Sequence, residues 1–165
     1  MRRANVARRT LGLLLIAVLL ITAAMPAFAA SKKGSGAYVV DKSKTGGERL
    51  IVHDAPFGEE IGRIKPGTVV VYKSFKSGWW KITCYYGTGW VDPKYLTSVT
   101  ALPSAKYKAL KSLTVYPKAR AKSPYSVKLN TRTKVSIIDK SGDWVHIQVG
   151  WRHGWVQAKY LRRVS

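Results

Sequence analysis

A single cysteine, Cys84, is all the thiol in this 165-residue chain, so no intramolecular disulfide can staple it and packing must hold it together. Acids are scarce too: eight aspartates and glutamates stand against 29 lysines and arginines, beside three histidines. That short supply restricts the chemistry the chain can contain. Glu59-Glu60 and Asp139/Asp143 fall on turns and read as solubilising residues rather than as a paired acid and base. His53, His146 and His153 occupy unrelated positions, and the closest two lack a third ligand. Cys84 falls at an apolar strand position, where a buried thiol is inert. From these absences we expect no catalytic residue, no metal, no cofactor and no enzyme. Helical periodicity is missing as well after the first 30 residues.

Only one long apolar run exists, Leu11 to Ala24, reading LGLLLIAVLLITAA. Four arginines precede it in MRRANVARR, and Pro26 with Ala27-Phe28-Ala29 follows. The run falls well short of the roughly 20 residues of a spanning helix and has the flanks of a secretory signal peptide, assigned to residues 1–29. The expectation is a secreted, extracellular, envelope-associated protein with no transmembrane segment once that signal is cleaved. No cysteine ends the run, so there is no candidate for lipid attachment.

What the chain has in quantity is repetition. At a constant offset of 65, Trp79–Leu96 and Trp144–Leu161 align without a gap, and the phrases GWVDPKYL and GWVQAKYL recur. Upstream, Leu50-x-Val52 faces Leu113-x-Val115, and Ile61, Ile64, Val69 and Val71 face Val127, Leu129, Val135 and Ile137. Each copy holds short stretches rich in Val, Ile, Tyr, Trp and Thr, separated by turns such as Lys65-Pro66-Gly67 and Lys140-Ser141-Gly142-Asp143. This predicts an all-β chain: a polar lead-in at 30–35, a first unit at 36–99, a linker at 100–105 and a second unit at 106–165. Alternation in Trp80-Lys81-Ile82-Thr83-Cys84 assigns the even positions, and Val145, Ile147 and Val149 with them, to the core. Trp79 and Trp144 then face outward.

The stretches Gly78-Trp79-Trp80-Lys81-Ile82 with Gly89–Leu96, and Asp143-Trp144-Val145-His146-Ile147 with Gly154–Leu161, resemble the bacterial Src-homology-3 domain, SH3b. The resemblance implies two tandem small SH3-like β-barrels in which Gly89 and Gly154 close a hairpin and Trp90 and Trp155 fill the barrel. It also implies a shallow groove for extended ligands at Trp79, Pro93 and Tyr95, and a second at Trp144 and Tyr160, where Ala158 replaces the proline.

Charge separates the copies. Residues 36–99 hold nine lysines and arginines against six acids, a net +3, whereas 100–165 hold fourteen against two, a net +12. That excess draws a protein toward polyanions. We expect Lys118, Arg120, Lys122, Lys128, Arg132, Lys134, Arg162 and Arg163 to contribute a basic patch. The chain is also similar to glycine-tryptophan modules of cell-surface proteins, which implies attachment to anionic wall polymers. Export argues against a nucleic-acid partner. The expectation is a non-catalytic exported binding protein that associates with the bacterial cell wall through peptidoglycan or an anionic polymer; the alternative is a module that docks a secreted or surface protein through its aromatic grooves.

Overall fold

A computed structural model describes residues 33–121 and 127–164. The expected signal peptide, the beginning of the lead-in and Lys122 lie outside the described residues. Among those described, the regular elements are strands and short 3-10 turns, and no helix is long and apolar enough to cross a membrane.

The first half runs β1 (Ala37–Val40), β2 (Leu50–His53), β3 (Glu60–Ile64), β4 (Val69–Lys76), β5 (Trp79–Cys84), β6 (Gly87–Val91), a 3-10 turn (Pro93–Tyr95) and β7 (Leu96–Ser98). After a second such turn (Val99–Ala101) the same order returns as β8 (Lys106–Ala109), β9 (Leu113–Val115), β10 (Val127–Leu129), β11 (Lys134–Ser141), β12 (Trp144–Val149), β13 (Arg152–Gln157), a turn (Ala158–Tyr160) and β14 (Leu161–Arg163). Neighbours pair in the order β3-β2-β6-β5-β4-β1-β7 in one sheet and β13-β12-β11-β8-β14 in another, with β10-β9 as a separate pair. A bridge from Tyr116 to Trp155 ties that pair to β13, as His53 and Trp90 tie β2 to β6. The long strands carry their irregularity at the same repeat position, between Tyr72 and Ser74 and between Ile137 and Asp139. A bulge bends its strand and strengthens the local twist, so each sheet curls on itself. The chain is all-β, curled in the manner of an SH3-like barrel.

Alternation sets most of the interior. Trp80, Ile82 and Cys84 of β5 and Val145 and Ile147 of β12 are buried, and Val149 is half-buried. Burial pushes the Cys84 thiol above its ordinary range, so the thiolate needed for reactivity is disfavoured. Two expectations need correction. Trp90 and Trp155 do not fill a barrel; both are half-buried, because Val91 and Val156 point inward and period-two alternation turns each tryptophan out. Gly89 and Gly154 do not close hairpins; they lie within strands, paired with Ile82 and Ile147. A side chain there would sit 3.0 Å from the carbonyl oxygens of His53 and Tyr116, so the glycines admit the crossing strand. Within the aligned apolar sets, Ile61 on β3 and Val127 on β10 are each 57% exposed.

The two halves share a core. Ala37 and Val39 of β1, Val69 and Val71 of β4, and Val99 cluster with Tyr107, Val135, Val145, Val156, Ala158 and Leu161. The opposite faces of the same strands, at Val40 and Val70, join Trp80, Ile82, Val91 and Leu96 in a second cluster. Strands β1 and β4 are therefore buried on both sides, which is why they read AYVV and VVVY instead of alternating. Burial in this shared core pushes the Tyr107 phenol up to about 12. At the seam the Arg163 amide donates to the Gly67 carbonyl at 2.7 Å, and Thr68 bridges Arg162. Lys73 Nζ lies 2.6 Å from both carboxylate oxygens of Asp143. Gly67 has a φ of +82°, and a side chain there would meet the Arg163 carbonyl at 3.1 Å, so close approach of the halves needs glycine.

Candidate functional site

Of the three residues singled out for the first groove, Trp79 and Tyr95 come together, while Pro93 lies outside the cavity lining. Trp79, at the start of β5, and Tyr95, at the end of the 3-10 turn, line a cavity of about 370 Å³ with Ile51, His53, Asp92 and Lys94. Local chemistry explains the turn. Asp92 accepts from the Lys94 amide at 2.9 Å as its cap, and Pro93 takes the first position, where a missing N–H costs nothing. Lys94 Nζ lies 2.8 Å from Asp92 and 4.8 Å from the centre of the Tyr95 ring. The carboxylate hydrogen bond holds that lysine above its ordinary pKa. Pro93 is thus half-buried and sets the turn that carries Tyr95.

Trp79 is half-buried and held edge-on by His53 at 4.9 Å and by Phe57 at 5.5 Å between ring centres. The His53 ring nitrogen Nδ1 lies 2.8 Å from the Gly58 carbonyl oxygen, which can only accept, so Nδ1 is the donor. Phe57 is 69% exposed and has a φ of +60°, a conformation uncommon for a non-glycine residue. Sequence reasoning missed both His53 and Phe57. The His53 signal was its place in β2, two residues after Ile51 on the same face; Phe57 sits at a loop tip that spacing does not locate. Aromatic walls with a rim of mixed charge suit an extended chain, whether peptide or glycan, that stacks on rings and hydrogen-bonds at the edge.

The second copy differs. Trp144 is half-buried and meets Tyr116 edge-on at 5.5 Å. Tyr160 has other neighbours: Lys111 Nζ at 4.0 Å, Lys159 Nζ at 5.0 Å and Tyr85 of the first half at 6.1 Å, each measured to ring centres. Ala158 is fully buried in the shared core and its amide donates to the Asp143 carbonyl at 2.9 Å. That contact explains why alanine stands where the first copy has Pro93, since proline has no N–H to donate. His146 and His153 also come together, with Nε2 and Nδ1 3.0 Å apart, and His146 stacks on Trp155 at 4.8 Å. Burial, then the neighbouring His153, lowers the pKa of His146, partly offset by Asp139.

The described basic residues fall on several elements. Lys118 and Arg120 are exposed after β9, Lys128 is on β10, Arg132 is in the turn before β11, and Lys134 is on β11. Arg162 and Arg163 are half-buried on β14. Lys134 and Arg162 each pair with Lys108 across adjacent strands, so sequence reasoning missed the middle member of a row. Strand order, not spacing along the chain, makes that row.

No family model matches the chain. A Bacillus subtilis (strain 168) protein named as an N-acetylmuramoyl-L-alanine amidase, YrvJ, is 28% identical over an alignment 117 residues long that covers 62% of this chain and 23% of that protein. The solved structures of NlpC1 and NlpC2 from Trichomonas vaginalis align with 81% and 80% of this chain, at 10% and 12% identity and TM-scores of 0.39 and 0.37. This chain spans 47% and 49% of those two. The expectation that the chain is not an enzyme is corrected here, because the protein similar over 117 residues is named for an amide-cleaving enzyme. Residue spacing within one chain tests only for a site that the chain contains by itself, and it does not decide what an enzyme family's members do.

Proposed function

We propose that this chain works on the bacterial cell wall, and that its SH3b-type units, 36–99 and 106–165 joined by 100–105, attach it to peptidoglycan or to an anionic wall polymer outside the cytoplasm. The observation that carries this reading is the similarity over 117 residues to a protein named for N-acetylmuramoyl-L-alanine, a linkage between wall sugar and wall peptide. Two physical features support it. The Trp79/Tyr95 cavity offers stacking surfaces to an extended glycan or peptide, and the excess of cations favours a polyanionic surface. Trp144, Tyr160 and the basic residues from Lys118 to Arg163 would add to that attachment from the second unit.

The test is sedimentation of the purified protein with washed walls, with and without wall teichoic acid, at low and high salt, while free amines released from the walls are counted. Binding to walls, weakened by salt or by loss of the polymer, is the expected result. Sedimentation only when a secreted protein is added would replace this reading with the docking alternative. Release of amines would show that attachment is coupled to cleavage.

A further inference from the structure

Where the halves meet, a cleft of about 450 Å³ is lined by Lys42, Arg49, Lys65, Lys108, Arg162 and Arg163, together with backbone and apolar groups, and by no carboxylate side chain among the described residues. Lys42 and Arg49 come from the segment between β1 and β2, Lys65 from the turn before β4, and the other three from β8 and β14 of the second half. Neither half makes this cleft by itself. Its frame is the backbone pairing already described, with the Arg163 amide on the Gly67 carbonyl and Thr68 opposite Arg162. Among the described residues, none of the six cations takes part in an ion pair. The adjoining hollow of about 630 Å³ has one carboxylate in its lining, Asp41, and that group is engaged by the Thr97 and Ser43 hydroxyls at 2.7 Å each.

The strand register makes the arrangement costlier than a solvated basic surface needs. Lys134 pairs with Lys108 and Lys108 with Arg162, so three cations stand directly opposite one another across β11, β8 and β14. Like charges at facing positions of a sheet are destabilising, and no acid interrupts this row. A fold that keeps the facing pair Lys108 and Arg162 of this row in a cleft at the junction of its halves matches the pattern of a binding site whose ligand supplies the missing charge. Arg49 lines both this cleft and the Trp79/Tyr95 cavity, so one side chain borders the two.

We infer that the seam cleft is a binding site for a linear phosphodiester polymer, one strand of which lies against Lys108 and Arg162 and passes Arg49 toward the aromatic cavity. Resting on the wall-attachment reading, the inference specifies its ligand class. A polymer strand enters a concave cleft, whereas a membrane presents its phosphates on a flat face. Repeating phosphodiesters also match a line of cations better than one isolated anion does.

The test measures binding of the full chain to poly(glycerol phosphate), and in a second arm to phosphatidylglycerol vesicles, over a salt series. The seam variant is Lys108→Gln with Arg162→Gln. The charge-matched control is Lys76→Gln with Lys81→Gln, two exposed lysines on β4 and β5 that line neither the cleft nor the aromatic cavity. The expected result is at least tenfold weaker polymer binding and a shallower salt dependence for the seam variant, with the control within twofold of the native chain. The seam variant should also melt no lower than the native chain, since the facing repulsion is relieved, so lost binding cannot be assigned to unfolding. Equal loss in both variants, no loss in the seam variant, or no polymer binding by the native chain overturns the inference. Stronger seam-dependent binding to vesicles than to polymer at equal phosphate also overturns it, in favour of a lipid surface. If the native chain still sediments with walls stripped of teichoic acid, the wall reading survives the loss of this one; if it sediments with no walls, both fall.

Discussion

Replacing Val69 with alanine should loosen the second half of the molecule although the residue belongs to the first. Val69 is fully buried on β4, in the cluster that also holds Tyr107, Val145, Val156 and Leu161. Removing two carbons forfeits about 1.6 kcal/mol at roughly 0.8 kcal/mol each. A residual void of some 40 Å³ adds about 1 kcal/mol if the strands on either side cannot collapse into it, giving about 2.5 kcal/mol in all. Native-state hydrogen exchange reads this directly, because amides that exchange only through cooperative opening speed up by the fold-change in the opening constant. The amides of Val145 and Ile147, in the β12 ladder, should exchange roughly 70-fold faster in the variant, as a loss of about 2.5 kcal/mol requires. Unchanged protection at those two amides, with faster exchange confined to residues before 100, would refute the shared core. The halves would then be independent beads on a string.

Trp79→Ala should leave the fold intact, since the ring is half-buried at the groove, yet weaken wall binding about tenfold by removing one stacking surface; sedimentation beside a circular dichroism melt separates the two effects. Ala158→Pro, which copies the first repeat, should cost about 2–4 kcal/mol in denaturant unfolding, because it removes the bond to the Asp143 carbonyl and forces a ring into the fully buried seam. The reverse change, Pro93→Ala, should cost less than about 1 kcal/mol. Burial holds the folded pKa of His146 below the ordinary histidine value of 6.5, so the unfolded chain takes up the proton first as the medium acidifies. Its contribution to stability is present above pH 6.5 and is lost as the pH falls below that value. Thermal midpoints at pH 8 and pH 5 should therefore lie closer together in His146→Gln than in the native chain.

The β character, the repeat and the inward faces of β5 and β12 were legible from residue order alone, because period-two alternation and turn residues are local properties. The meeting of Trp79 with Tyr95 was foreseeable only through resemblance, since sixteen positions separate them in the chain. His53 and Phe57 escaped notice because they reach Trp79 across strands. The half-buried Trp90 and Trp155 show how a large apolar residue misleads when its neighbour, Val91 or Val156, takes the inward place.

The seam had a trace in the chain, the unbroken valines 69–71, and its meaning emerged only once both faces of β4 were seen to be covered. The row Arg162–Lys108–Lys134 had no such trace. Side-chain identity and spacing determine what a strand can be and which way each residue points, because those depend on neighbours two positions away. Which strands lie side by side depends on the free energy of burying surfaces from distant parts of the chain. The cationic cleft, built from both halves, was therefore decided by tertiary structure alone.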